Sequence, residues 1–533
     1  MNNFKIILIS AVSVLALAGC GASKKVYDIS AMAVKAPINV IKKTPLKEED
    51  LKRWSHLDIV KDTVPGMSVD KAYAELLKDK TSKKVIVGIV DSGVDIDHDD
   101  LKSVIWTNPK EIANNGIDDD KNGYVDDIHG WNFLGDITNE NLEITRILKN
   151  GDDGSENYKS AKKAFEEKQK ESLDSKKQVD FIFNAINEVS TYLKKENFTL
   201  DEVQAISTQD PSLLKSKKVM TNIIGQTGPN FRPELNDFKE HVDEQVNYHL
   251  NLDFDGRKVI GDNPSDIKDR IYGNNTVFGP DKEKALHGTH VAGIIAQSRT
   301  NNLGGDGVAN NVAIMAVRAV PNGDEYDKDI ALAIRYAVDN GAKVINTSFG
   351  KYFSPNKQWV YDAIKYAAKK DVLIVHSAGN ESKDNDKEIN FPNDHDSKDK
   401  EFAGNVLTVG ALNFELGDKI TATFSNYGKE NVDVYAPGVE IYATTPNNSY
   451  KYLQGTSMAS PNAAGVAALI RSYYPKLSAS EVKHILMDSG VAIAATIKVG
   501  EEQKETRLFA NASKSGKIVN AYNALLMADK MSK

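Results

Sequence analysis

Cysteine is almost missing from this chain: Cys20 is the single one among 533 residues. An intramolecular disulfide is therefore excluded, and stability has to come from core burial and bound metal. Positive charge is not in excess either, with 67 Lys and Arg against 75 Asp and Glu and a net charge of −8. No basic face interleaved with aromatics appears, which argues against a nucleic-acid surface. The N-terminal apolar run, Ile6–Ala18, is shorter than the roughly 20 residues that a helix needs to cross a bilayer. What the chain does have, 41% hydrophobic and 27% charged residues, suffices for a sizeable packed core and speaks against wholesale disorder.

Lys5, the short apolar run and the small residues behind it read as a signal peptide over residues 1–19. Leu17-Ala18-Gly19-Cys20 resembles a bacterial lipobox. That resemblance implies cleavage before Cys20 and diacylation of its thiol, hence an exported protein held to a membrane through lipid on Cys20. A chance cysteine behind an ordinary secretory signal is the plain alternative. Gly21, and no aspartate, follows the anchor, which favours the outer membrane or the cell surface if the source is Gram-negative. Residues 20–65 are polar and punctuated by Pro37, Pro45 and Pro65, and read as a tether with some structure near Trp54.

From Ser68, a candidate helix cap, the pattern turns helical, with Ala72, Leu76 and Leu77 on one face. Val85–Val90 is then a continuous apolar run, the mark of a strand buried on both sides in a parallel sheet. Similar runs recur at Val312–Val317, Val344–Ile345, Val372–Val375 and Val406–Val409, with helical stretches such as Asp329–Asn340 between them. Alternation of this kind predicts an α/β fold, a doubly wound parallel sheet with helices on both faces and functional residues at the carboxyl ends of strands. The body divides into residues 66–141 and 253–533, interrupted by a charged helical insertion at 142–252. In the insertion Val179, Ile182, Phe183, Ile186, Val189 and Leu193 fall at helical spacing, and Thr199 with Glu202 makes a capping box. The insertion is either a subdomain packed on the body or a lid that narrows a cleft.

Three segments carry chemistry. Val87-Gly88-Ile89-Val90-Asp91-Ser92-Gly93 places a carboxylate just past a buried strand. His287-Gly288-Thr289-His290-Val291-Ala292-Gly293 supplies imidazoles, and Gly455-Thr456-Ser457-Met458-Ala459-Ser460-Pro461 sets a hydroxyl at the mouth of a helix. A serine hydroxyl is a poor nucleophile without an adjacent base, and a base imidazole needs a group that fixes its tautomer. The order Asp, His, Ser is the order of subtilisin. By these residues the chain resembles the subtilisin-like serine peptidases, the subtilases. The resemblance implies a subtilisin-like fold and a serine endopeptidase working through an acyl-enzyme: Ser457 the nucleophile, His287 the general base and Asp91 its partner. Ala378-Gly379-Asn380 resembles the family's oxyanion segment, which makes Asn380 the side-chain donor. Val344–Gly350 resembles its substrate-binding strand, with Ser348, Phe349 and Gly350 lining the pocket before the cut.

The resemblance also implies protein or peptide substrates, no organic cofactor and a monomer. Subtilases usually separate Asp and His by a few dozen residues and carry a folded propeptide. Here the separation is far longer and no clear propeptide is visible. Lys351 stands where Gly is frequent and Asn462 where His is usual, departures that bear on specificity and leave the chemistry intact. Asp118, Asp120 and Asn122, followed by Gly123, match the opening of a calcium loop, with Tyr124 and then Asp126 or Asp127 to complete it. A structural Ca²⁺ is expected there, and a weaker second site at Asp262, Asn263 and Asp266. Two rival functions remain: a calcium-binding surface lipoprotein with a non-catalytic peptidase fold, and metal-dependent hydrolysis through His287 and His290.

Overall fold

In the computed structural model, residues 46–228, 230–299, 301–395 and 400–533 are described. The expected signal peptide, Cys20 and the first part of the expected tether lie outside them. A nine-stranded sheet forms the centre. Seven of its strands are β1 (Val85–Asp91), β2 (Gly130–Asn132), β3 (Val312–Arg318), β4 (Val344–Thr347), β5 (Leu373–Ser377), β6 (Val406–Leu412) and β7 (Val434–Pro437). They stand in the order β2-β3-β1-β4-β5-β6-β7, all parallel, and Lys517–Ile518 and Val491–Ala492 close the far edge, the last pair antiparallel.

The apolar run of β1 follows from its place in the sheet. Val85, Val87 and Ile89 enter one core while Ile86 and Val90 pack into the other, because successive side chains point to opposite faces. The first core lies under helices Leu286–Ala296 and Thr456–Tyr473, and the second under helices Asp327–Asp339 and Lys357–Lys369. After β1 the chain runs to the β2 edge, returns through β3 beside β1, and then continues on β1's other side with β4. The order therefore reverses at β1, and its carboxyl end, Asp91, opens into the crevice where such sheets place their ligands.

Two expectations at the N-terminal side are corrected. The tether does not extend to residue 65: Trp54 is 1% exposed and its indole N–H donates to the Val439 carbonyl at 3.0 Å. Ile59 and Val64 join the first core, so residues 46–65 belong to the folded body. Three apolar side chains spaced through a polar segment were enough to bury it. Ser68 does not cap the helix that it precedes. It sits at φ 57 in the left-handed region, and its Oγ accepts from Asn520 Nδ2 at 2.8 Å.

The insertion leaves and re-enters the body at one point. Asn141 Nδ2 donates to the carbonyls of Tyr248 and Asn251 at 2.6 and 3.0 Å, and Leu142 N–H to that of His249 at 3.0 Å. Between these ends run helices Glu143–Lys149, Glu156–Leu193, Leu200–Gln204, Pro211–Thr227 and Phe231–Glu244. Ile186, Val189, Val203, Met220 and Phe231 give the insertion an apolar core of its own, and the Thr199–Glu202 capping box forms. No helix among the described residues is long and apolar enough to cross a membrane.

Candidate active site

Asp91 ends β1 and is 1% exposed. Its Oδ1 accepts from the Ser92 N–H and from His287 Nδ1, both at 2.7 Å. A carboxylate only accepts, so Nδ1 carries the hydrogen and Nε2 of His287 is left as the basic nitrogen. Burial lowers the imidazole's affinity for a proton, and the Asp91 carboxylate outweighs that effect and raises its pKa above the ordinary value. His287 lies in the first turn of helix Leu286–Ala296, which can approach Asp91 this closely because residue 288 is glycine. A Cβ there would stand 2.2 Å from the Gly93 carbonyl oxygen and 3.1 Å from the Asp91 Cβ.

His290, on the same helix, is turned away. It is fully buried and its Nε2 meets the carbonyls of Ile441 and Lys451 at 3.0 and 3.1 Å, while burial lowers its pKa to about 4. An imidazole donating to two carbonyls ties its helix to the neighbouring hairpin and offers no lone pair from that nitrogen to a metal. His290 Nδ1 is buried without a hydrogen-bond partner, but no metal-ligating cluster among the described residues includes His287 or His290, so the His287–His290 metal site is not formed.

Ser457 is the second residue of helix Thr456–Tyr473, which packs directly on the helix of His287. Ala459, Ala463 and Ala464 are fully buried, and their small size lets the serine's helix sink into the core. The Ser457 Oγ donates to the Ser348 carbonyl at 3.2 Å, not to His287, and Ser348 Oγ donates back to the Ser457 carbonyl at 2.9 Å. In the resting site, then, the Asp91–His287 pair is made and the serine hydroxyl is parked on the Ser348 carbonyl. Catalytic hydrogen bonds of this kind commonly tighten only when substrate is bound.

Asn380 follows β5. Its Oδ1 accepts from the Thr456 N–H at 2.8 Å and from the Thr456 hydroxyl at 3.0 Å. A backbone N–H can only donate, so the amide's orientation is fixed: Nδ2 faces away, with no partner among the described residues. The Ser457 N–H, in the first turn of its helix, is a second unpaired donor beside it. Thr456 was not singled out in the sequence, although it stands next to the serine; its role becomes visible only when the Asn380 loop is seen against it.

Of the expected substrate strand, Val344–Thr347 is an interior strand paired on both sides with β1 and β5. Ser348, Phe349 and Gly350 lie past the sheet's end, Ser348 and Phe349 buried and Gly350 exposed, and make no strand pairing among the described residues. Phe349 is buried against a small cavity shared with Ile330, Val360 and Phe391. Asn462 makes ordinary packing bonds inside its helix's bed, Nδ2 to the carbonyls of Pro437 and Met458.

The acidic loop gathers differently from the expectation. Glu111, Asp120 and Asp127 bring carboxylate oxygens within 4.8 Å of one another. Asp118 instead accepts from the N–H groups of Asn122 and Gly123, Asn122 Oδ1 from that of Tyr124, and Asp126 from those of Asn115 and Gly116. The Tyr124 ring packs on Trp131, Phe133 and Tyr336. Short Asp and Asn side chains turned onto nearby N–H groups, so of the expected set only Asp120 and Asp127, the alternative to Asp126, point into the cluster. Asp127 has its pKa pushed up to about 6 by burial, with the Asp120 charge adding to it, although Tyr336, Asn122 and Asn108 donate to it.

The second expected metal site is corrected outright. Lys328, 0% exposed, puts its ammonium 2.9 Å from Asp262 Oδ2 and 2.8 Å from the Asn263 carbonyl. Arg257 closes the other side, bridging Asp262 and Asp329. Asp266 accepts from the Lys268 N–H. The chain supplies its own cations there, which leaves a divalent ion nothing to neutralise.

The Subtilase family model matches residues 82–513. A thermophilic serine proteinase of Bacillus sp. (strain AK1) is 41% identical over 236 residues, 43% of this chain and 51% of that protein. Subtilisin DY of Bacillus licheniformis is 38% identical over 217 residues, 40% of this chain and 74% of that protein. The match thus spans about half the length of the first relative and about three quarters of the second. Among solved structures, a protease of Pseudoalteromonas arctica is 30% identical and covers 45% of this chain and 70% of that one, with a TM-score of 0.38.

Proposed function

Because the chain belongs to the subtilase family, we propose that it is an exported serine endopeptidase, held to a membrane as a monomer by lipid on Cys20, that cuts proteins and peptides. The observation that carries this reading is the Asp91–His287 pair, its histidine on a helix packed against that of Ser457, whose neighbour Thr456 holds Asn380 by its amide oxygen. On this reading an extended substrate pairs with the main chain of Ser348–Gly350. Ser457 Oγ turns from the Ser348 carbonyl to His287 and attacks the scissile carbonyl carbon as Nε2 takes its proton. Asn380 Nδ2 and the Ser457 N–H then hold the oxyanion. His287 returns the proton to the departing amine as the C–N bond breaks. Water, deprotonated by the same nitrogen, hydrolyses the acyl-enzyme.

A fluorophosphonate probe should label the purified protein once per chain, abolish casein hydrolysis, and leave its adduct on Ser457 in a peptide map. An adduct elsewhere, or turnover that survives stoichiometric labelling, would refute the reading.

Calcium has a place in the same proposal. Glu111, Asp120 and Asp127 form an anionic, oxygen-only set suited to a hard cation, and crowding of Asp120 and Asp127 is the strain that such an ion relieves. The ion would hold the Asp118–Asp127 loop and take no part in turnover. Saturating Ca²⁺ at about 100 times its Kd should add about 2.7 kcal/mol of stability. We expect a rise of several degrees in Tm over protein in chelator, absent in Asp127→Asn, with initial turnover of the still-folded enzyme unchanged. Equal melting curves with and without Ca²⁺ would remove the ion from the account.

A further inference from the structure

Lys351 follows directly on Ser348–Gly350, and its long side chain does not reach into solvent. It is buried, and its ammonium meets Glu143 Oε2 at 2.7 Å, the Glu325 carbonyl at 2.7 Å and Asp327 Oδ1 at 3.0 Å. Glu143 is the first residue of the insertion's first helix. It is held from the other side by Arg146 at 2.5 Å, whose guanidinium lies over the Tyr326 ring and donates to the carbonyls of Asp324 and Glu325. Two residues beyond Lys351, Phe353 packs against the insertion's Ile144, Ile147 and Phe165. The main chain at Lys351 is also pinned, its N–H and carbonyl both paired with Phe391.

The peptide-binding segment is therefore anchored at two ends. Ser348 is tied to Ser457 at one, and Lys351 to the insertion at the other, with Gly350 between them. The insertion's other link to the site, Lys284 with Glu240 and Glu244, is an exposed ion pair three residues before His287, of a kind that contributes little. A buried pair is different. Loss of Lys351 or Glu143 leaves the other its remaining buried partner, Arg146 or Asp327, but cuts the tie between insertion and segment, so the Lys351 link transmits position.

Resting on the peptidase reading, we propose that Lys351 is a positioning residue through which the insertion fixes the path of Ser348–Gly350 and so sets affinity for extended polypeptide. Main-chain pairing requires donors and acceptors placed in advance. A segment that loses the Lys351 side-chain tie, and is held there only by its pairing with Phe391, is less closely fixed and has to be ordered further by each substrate that binds. That cost falls on the bound ground state and the transition state alike, and appears in KM with kcat preserved.

The test compares Lys351→Met, Lys351→Arg and Glu143→Gln on two substrates: a tetrapeptide anilide that pairs along the segment's main chain, and an acetylated single-residue ester that reaches only the pocket before the cut. Lys351→Met and Glu143→Gln should each raise KM for the tetrapeptide about tenfold, with kcat within about twofold, while ester hydrolysis and the rate of fluorophosphonate labelling stay as in the parent. Lys351→Arg should keep the parental KM within about twofold. Glu143→Gln keeps the hydrogen-bonding shape, so it carries the same readouts if Lys351→Met does not fold. A KM for the tetrapeptide that stays put in a labelled variant, or equal losses on both substrates, would overturn the proposal. A parent that takes no label would instead defeat the peptidase reading beneath it.

Discussion

Ser457→Ala is expected to lower kcat by about 10⁶-fold, the magnitude known from subtilisin itself, and to abolish fluorophosphonate labelling while the protein stays folded. The local bonds explain why the two effects separate. In the resting site the Oγ makes one hydrogen bond, its donation to the Ser348 carbonyl, and the return bond from Ser348 ends on the Ser457 backbone carbonyl. Alanine therefore removes a single donor, about 1 kcal/mol, and the helix keeps its seat. The chemistry loses the atom that forms the covalent bond. What survives is the residual stabilisation from Asn380 and the Ser457 N–H, which still favours the tetrahedral species formed by direct attack of water, on the order of 10³–10⁴ over the uncatalysed reaction. Measurement of kcat on a chromogenic peptide, with Tm beside it, checks both halves. Persistent labelling, or a loss of only tenfold, would show that another residue is the nucleophile.

Features that a few consecutive residues determine could be read before the fold was known. β1, β3 and β6 begin at the residues that open their apolar runs, since a strand buried on both faces has no polar position to hide its ends. The expected bounds of the insertion, 142 and 252, rest on a related local signal. Its helical periodicity and charge stop at Asn141 and Asn251, which the fold brings together. The features missed are those fixed at long range. The direction of Asn380's amide depends on Thr456, 76 positions away. Lys351 stood out as a departure, and its reason, Glu143, is 208 positions earlier. The acidic loop read as a linear calcium motif because its oxygens alternate in sequence, whereas Glu111 enters from outside the motif and Asp118 and Asp126 turn onto their own loop. Lys328 shows the same effect with opposite sign, since a cation 66 positions from Asp262 enters a pocket that looked like a metal site.

Asp91→Asn separates the charge of the triad from its shape. The expected result is a fall in kcat of about 10⁴-fold, the cost of this change in a serine triad, together with an acid limb of the pH–rate profile displaced to lower pH. The sign follows from the two opposed causes at His287. Burial disfavours the imidazolium, Asp91 favours it, and Asp91 prevails, so the pKa lies above its ordinary value. Turnover requires the neutral ring with Nε2 free. The rate therefore rises with pH through that pKa and is lost below it. Removal of the carboxylate charge leaves burial unopposed, and the midpoint drops below the ordinary imidazole range. The plateau falls for a separate reason. If the new amide keeps its oxygen between Ser92 and His287, its NH₂ takes the place of Oδ2, which is buried and makes no hydrogen bond, and the imidazolium formed during attack has lost its counter-charge. If the amide turns over, it donates to Nδ1, drives the ring hydrogen onto Nε2 and leaves no base facing the serine. Both arrangements weaken the transition state, and both move the limb the same way. Rates of peptide hydrolysis from pH 4 to 9 test the two effects together. A limb that stays in place would mean that Asp91 does not set the charge of His287, whatever the loss in kcat.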